Sequence, residues 1–127
     1  MLSTNASILI VDDHQSMRRT VADIMRMLGY FNIHYAEDGI MALAQLQEHS
    51  STELVLLDWN MPRMSGIDCL REIRSSPKFE KLPVIMVTAE AEQELVVEAV
   101  SAGVTNYIVK PFTPATLEKK IKEIFPG

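Results

Sequence analysis

Ile8 to Asp13 reads ILIVDD, and the same shape returns three times: Leu54 to Asp58 reads LVLLD, Val84 to Thr88 reads VIMVT, and Ile108 to Lys110 reads IVK. Each is a short apolar run that stops at a polar residue. Runs without alternation suit strands covered on both faces, the habit of parallel sheets. If the four runs lie side by side, their carboxyl ends bring Asp12, Asp13, Asp58, the Thr88 hydroxyl and the Lys110 ammonium to one rim. That set of groups can bind a divalent cation and accept a phosphoryl group.

Between these runs the sequence turns amphipathic, which predicts repeated βα units. After Asp13 a helix carries Met17, Val21, Ile24, Met25 and Leu28 on one face and closes at Gly29. Ile33 to Ala36 forms a further short strand, and Asp38 caps a helix with Ala42, Leu43 and Leu46 inward. A third helix presents Ile67, Leu70 and Ile73 and ends before Ser75, Ser76 and Pro77; a fourth buries Val96, Ala99 and Val100 and stops at Gly103. Thr113 and Pro114 open the last helix, whose inward stripe is Leu117, Ile121, Ile124 and Phe125. Five strands alternating with five helices make a doubly wound α/β sandwich of three layers, with a five-stranded parallel sheet in the middle. Periodicity alone leaves the strand order open.

The chain has 127 residues, enough for one core and too few for two, so residues 1–127 are expected to form a single domain. A formal net charge of -5 argues against a nucleic-acid partner. No apolar run approaches the roughly 20 residues needed to span a bilayer, and Met1 to Ser7 lacks a secretory leader, so no membrane association and a cytoplasmic location are expected. The single cysteine, Cys69, cannot form an internal disulfide and falls on an apolar helix face.

Ligands in open α/β sheets sit beyond the carboxyl ends of the strands, where strand order reverses. Asp12 and Asp13 could instead be solvated acids capping the next helix, but Asp58 and Lys110 at equivalent strand ends count against that. Carboxylates about 4 Å apart repel by roughly 4 kcal/mol per pair at an effective dielectric near 20, a conflict that a cation resolves. With oxygen ligands and no cysteine, the donor set suits Mg²⁺. His14 reads as a solvent-facing helix start rather than a ligand. A carboxylate can attack phosphorus if charge on the equatorial oxygens is neutralised, and Mg²⁺, Lys110 and Thr88 are placed to do so.

Four stretches, ILIVDD (Ile8 to Asp13), LLDWNMPRMSG (Leu56 to Gly66), VTAEA (Val87 to Ala91) and NYIVKPF (Asn106 to Phe112), occur in order, and together they resemble a response-regulator receiver domain, most closely its chemotaxis members. The resemblance covers nearly the whole chain. It implies a flavodoxin-like fold with strand order 2-1-3-4-5 and a cis bond between Lys110 and Pro111. It implies Asp58 as phosphoacceptor, Asp13 and the backbone carbonyl of Asn60 as Mg²⁺ ligands beside it, and Asp12 as a ligand through water. It implies Lys110 as the phosphate-contacting lysine, and Thr88 and Tyr107 as switch residues that reshape the face of helix 4, strand 5 and helix 5. The phosphodonor would be a sensor histidine kinase, acting on a monomer whose downstream target is a protein such as the flagellar switch. Motor-binding members carry lysines where this chain has Glu92, Gln93 and Glu123, although Lys120 is retained, which puts that target in doubt.

Other functions fit less well. A phosphatase with an aspartyl-phosphate intermediate wants an acid two residues past its nucleophile, where Asp58 has Asn60 and Asp12 has His14. A flavin or nucleotide carrier wants a glycine-rich phosphate loop, and Asp12 to Arg18 offers none. A phosphate sink or adaptor remains open. Trp59 is either a reporter of the neighbouring site or a loop aromatic, Tyr107 by itself reads equally as a half-buried strand aromatic, and Met17, Met25 and Met86 read as core filler.

Overall fold

The computed structural model describes residues 1–89 and 93–126. Its elements are β1 (Ser7–Val11), α1 (Gln15–Met27), β2 (Ile33–Ala36), α2 (Gly39–Glu48), β3 (Thr52–Asp58), α3 (Gly66–Ser75), β4 (Val84–Thr88), α4 (Gln93–Ser101), β5 (Asn106–Val109) and α5 (Pro114–Ile124). The strands form one parallel sheet in the order β2-β1-β3-β4-β5, the order the resemblance implies.

Side chains of a strand alternate between faces, so each apolar run feeds two cores. Ile8, Ile10, Leu54, Leu56, Ile85, Val87 and Ile108 pack against α1 and α5 through Val21, Ala22, Met25, Leu117 and Ile121. Leu9, Val11, Val55, Leu57, Val84 and Met86 pack on the other face against Ala42 and Leu46 of α2 and Leu70 and Ile73 of α3. All thirteen of these strand residues are buried, which is why the runs lack polar alternation. Burying a residue of this size is worth about 1.5–3 kcal/mol, so the sheet carries much of the fold's stability.

The helix boundaries follow local chemistry. Asp38 accepts from the Met41 N–H (2.8 Å), Ser65 from the Asp68 N–H (3.3 Å) and Thr113 from the Thr116 N–H (3.2 Å), so α2, α3 and α5 each begin at an oxygen cap. Gly29 and Gly103 take positive φ, 97° and 91°, two residues past the ends of α1 and α4. Cys69 is fully buried, and burial pushes its thiol up to about 12.

Three expectations need correction. Among the described side chains of α4 only Ala99 is buried; Val96 is half-buried and Val100 is 64% exposed. Val97 is exposed too, so the apolar residues of α4 extend beyond its buried flank. Helix α3 runs through Ser75 rather than ending before it. Strands β1, β3, β4 and β5 each extend beyond their apolar runs, to Ser7, to Thr52 and Asp58, to Thr88 and to Asn106. No helix among the described residues is long and apolar enough to cross a membrane.

Candidate functional site

Strand order reverses between β1 and β3, and the predicted acids stand at that point. Val11 is level with Leu57, Asp58 with Val87, and Thr88 with Val109, so Asp12 follows β1 beside Asp58, while Lys110 follows β5 beside Thr88. The Lys110 N–H donates to the Thr88 carbonyl at 2.8 Å, and the Lys110–Pro111 bond is cis. Backbone register alone therefore brings these residues to one rim.

The lysine ammonium closes the group. Lys110 Nζ donates to Asp58 Oδ1 at 3.2 Å and to Asp12 Oδ2 at 3.5 Å, although the two acids are 46 residues apart in sequence. Asp12, Asp58 and Thr88 are buried, and Asp13 and Lys110 half-buried. Burial, with Asp12 and Asp13 adding repulsion, raises the Asp58 carboxyl above the usual range despite the pull of Lys110. Burial pulls the Lys110 ammonium down, but Asp58 and Asp12 outweigh it and the net shift is upward. Lys110 is thus held charged between two acids.

Asp12 has a second duty at the start of α1, since its Oδ1 accepts from the His14 N–H at 2.9 Å. The capping alternative is therefore partly realised, while Oδ2 remains with the lysine. Asp13 Oδ1 is buried and accepts no hydrogen bond among the described residues. His14 Nδ1 lies 3.1 Å away, near enough for a charge contact but out of line for a hydrogen bond. An orphaned carboxylate oxygen beside two more acids fits a hard cation, which takes oxygen donors and would relieve the repulsion.

Ligand atoms of Asp12, Asp13 and His14 lie within 4.8 Å of one another, whereas Asp58 is tied to them through Lys110 and Asp12. The His14 side chain is 70% exposed, so its approach depends on rotamer and not on packing. Asn60 is exposed in the loop after β3.

Sequence reasoning missed two residues here. Arg18, one turn into α1, donates to the Asp12 carbonyl at 2.7 Å, a reach that no spacing rule announces. Gly66 entered the sequence reading only as the last residue of the LLDWNMPRMSG stretch. A Cβ there would stand 2.0 Å from the Asp58 carbonyl oxygen, so α3 starts against the peptide that positions the acid. The signal available was glycine at the first helical position, where other residues are preferred.

Behind Thr88 a small pocket is lined by Trp59, Met86, Ala99 and Tyr107. Tyr107 is half-buried and packs on the core shared with α2 and α3; Lys120 Nζ sits 5.1 Å from its ring centroid. Glu123 Oε2 accepts from Asn106 Nδ2 at 2.9 Å. Glu90, Ala91 and Glu92 lie outside the described residues, as does the side chain of Gln93.

Comparisons with known proteins agree on one family. Residues 8–122 match the response regulator receiver domain. The chain is 50% identical over 125 residues to chemotaxis protein CheY-3 of Vibrio cholerae, covering 98% of this chain and 95% of that protein. It is 49% identical over 119 residues to chemotaxis protein CheY of Pseudomonas aeruginosa, covering 93% and 94%. A similar solved structure is the CheX–CheY–BeF₃–Mg²⁺ complex of Borrelia burgdorferi, with TM-score 0.89, 30% identity, and 96% and 90% of the two chains covered. With 115 of its residues matched and its sheet order and acidic rim in place, the chain belongs to the response regulator receiver domain family.

Proposed function

We propose that residues 1–127 form a stand-alone receiver in which a sensor histidine kinase phosphorylates Asp58 to switch a protein-binding face in chemotaxis signalling. The observation that carries this reading is the Lys110 ammonium held between the buried carboxylates of Asp58 and Asp12. Asp58 Oδ1 is engaged by the lysine, which leaves Oδ2 to attack. The phosphorus–nitrogen bond of the donor's phosphohistidine breaks as the bond from Oδ2 to phosphorus forms, and the imidazole departs with the electron pair. Lys110 and the Thr88 hydroxyl receive the phosphoryl oxygens. Asp12, Asp13, Asp58 and the Asn60 carbonyl would hold Mg²⁺, which when bound neutralises charge on those oxygens. BeF₃ and Mg²⁺ in the Borrelia complex support this for a relative.

The output would follow from Thr88 turning toward the phosphoryl group and Tyr107 moving into the space behind it. One charge-assisted hydrogen bond is worth roughly 1.5–3 kcal/mol, short of the ~5.5 needed to move a population from 1:99 to 99:1. The target's own binding supplies the rest. Val97 and Val100 are exposed on α4 and Lys120 flanks Tyr107, which suits a protein target on the α4, β5 and α5 face. Glu123 in place of a lysine weighs against the flagellar switch and favours a sink or adaptor role as the second reading. A cytoplasmic monomer is the form this reading assumes.

Incubation with acetyl phosphate and Mg²⁺, followed by intact-mass measurement, tests the chemistry. One added phosphoryl group per chain is expected, and none in Asp58→Asn. A label mapped to Ser16, Thr88 or a histidine would overturn the assignment.

A further inference from the structure

Within the first 60 residues the only cations besides the amino terminus are Arg18, Arg19 and Arg26, with no lysine at all. All three line one groove between α1 and the outer strand β2, together with Gln15, Asp23 and Tyr35. The groove holds about 430 Å³, within the ~300–1,000 Å³ of small-molecule sites. Three arginines against one aspartate leave its lining two charges positive on a chain of net charge -5. We propose that this groove is a second ligand site, one that takes a phosphomonoester of mononucleotide size.

The choice of residue points to phosphate. Guanidinium presents a planar fork that grips phosphate oxygens in pairs, and all the basic residues of the groove are arginines. Two of the forks are already held in place. Arg18 Nη1 donates to the Asp12 carbonyl at 2.7 Å, and Arg26 donates to Asp23 Oδ1 at 3.2 Å and to the Tyr35 hydroxyl at 3.1 Å. Holding them beforehand lowers the entropy lost on binding. Arg19 has no hydrogen bond or ion pair among the described residues and stands about 10 Å along the helix axis from Arg26, free to close on an anion. A phosphomonoester carries close to two negative charges at pH 7, which matches the lining. Tyr35, 38% exposed, adds a ring on which a planar base can lie. An acidic protein segment fits less well, because the net negative charge of the whole chain repels an extended polyanion more than a compact one.

The test is a titration of the ¹⁵N-labelled full chain, without divalent cation and at about 50 mM salt, with AMP, inorganic phosphate, adenosine and an Asp/Glu-rich peptide. AMP should give saturable amide shifts along α1 and β2 with a Kd of about 1 mM or tighter. Inorganic phosphate should bind more weakly and adenosine not measurably. Arg19→Ala combined with Arg26→Ala should weaken AMP at least about tenfold, with an unchanged circular dichroism spectrum. Equal affinity in the double variant, shifts confined to the ends of β1 and β3, or no saturation by millimolar AMP would each overturn the proposal. Phosphate matching AMP would remove the nucleotide and leave an anion site. Binding of the peptide alone would assign the groove to a protein partner.

Discussion

Replacing Gly66 with alanine should disable the site from behind. The first residue of α3 does not need glycine for its backbone angles, since only Gly29 and Gly103 have positive φ among the described glycines. Alanine there would even favour the helix by roughly 1 kcal/mol. The obstacle is steric: the new Cβ would lie 2.0 Å from the Asp58 carbonyl oxygen and 3.0 Å from Trp59 Cα. Such contacts do not fall below 3.0 Å, so the Asp58–Trp59 peptide or the start of α3 must move by about 1 Å. That peptide's N–H donates to the Val87 carbonyl at 3.1 Å, and the Gly66 N–H donates to the Trp59 carbonyl at 2.9 Å. Losing one or both costs about 0.5–1.5 kcal/mol each, and overpacking adds about 1–3 kcal/mol. The net expectation is a loss of about 3 kcal/mol, seen in urea as a midpoint lowered by roughly 1–2 M with unchanged slope. Asp58 rides on the displaced peptide, so labelling by acetyl phosphate should fall as well. Gly39→Ala is the milder comparison: its Cβ would meet Met64 Cγ at 2.7 Å and Met64 Cβ at 2.9 Å, so rotation of the Met64 side chain and a backbone shift of roughly 0.1 Å relieve the contact, and the loss should be about 1 kcal/mol. A Gly66→Ala protein as stable as the Gly39→Ala protein would refute the reasoning.

Three further outcomes follow from the electrostatics. The folded protein holds the Asp58 proton more tightly than the unfolded chain, so ionising this group lowers stability as pH rises from the ordinary value of 3.8 through its folded value. Asp58→Asn should therefore melt above the parent at pH 7, the gap closing toward pH 4; a gap that widens on acidification contradicts this. Mg²⁺ at about ten times its dissociation constant should stabilise the chain by ~1.4 kcal/mol, an increment absent from Asp13→Asn, and a melting temperature indifferent to the ion would count against the rim as its site. Finally, partial burial and His49, stacked at 3.7 Å, hold His34 below its ordinary 6.5 despite Glu48. The folded state binds fewer protons there, so stability is complete above about pH 6.5 and falls as pH drops through the folded value. His34→Phe should flatten that limb of the pH–stability curve, and an unchanged slope would dismiss the pair as its source.

The parts of the fold legible in the sequence are those that backbone position alone decides. A central parallel strand must be apolar at every position, so Ile8 to Val11, Leu54 to Leu57 and Val84 to Val87 announced themselves, and the residues closing them were bound to share a rim. Strand ends were less legible, because Thr52 joins β3 by pairing with Ser7 of β1 while its N–H and Oγ1 close the preceding turn on the His49 carbonyl (3.0 and 2.6 Å), and it carries no apolar signal. Strand order was invisible to periodicity and came from the resemblance. On α4, Val96, Val97, Ala99 and Val100 leave the buried flank undecided, and it is Ala99 that is buried, with Val96 half-buried beside it. At the rim, Asp12, Asp58 and Lys110 stand where register puts them, whereas Arg18 and His14 reach it by rotamer, which no spacing encodes. Gly66 shows the same limit from the other side. Its necessity arises from a through-space approach to a carbonyl eight residues earlier, so one-dimensional pattern could mark the stretch that ends there but not the acid that the glycine supports.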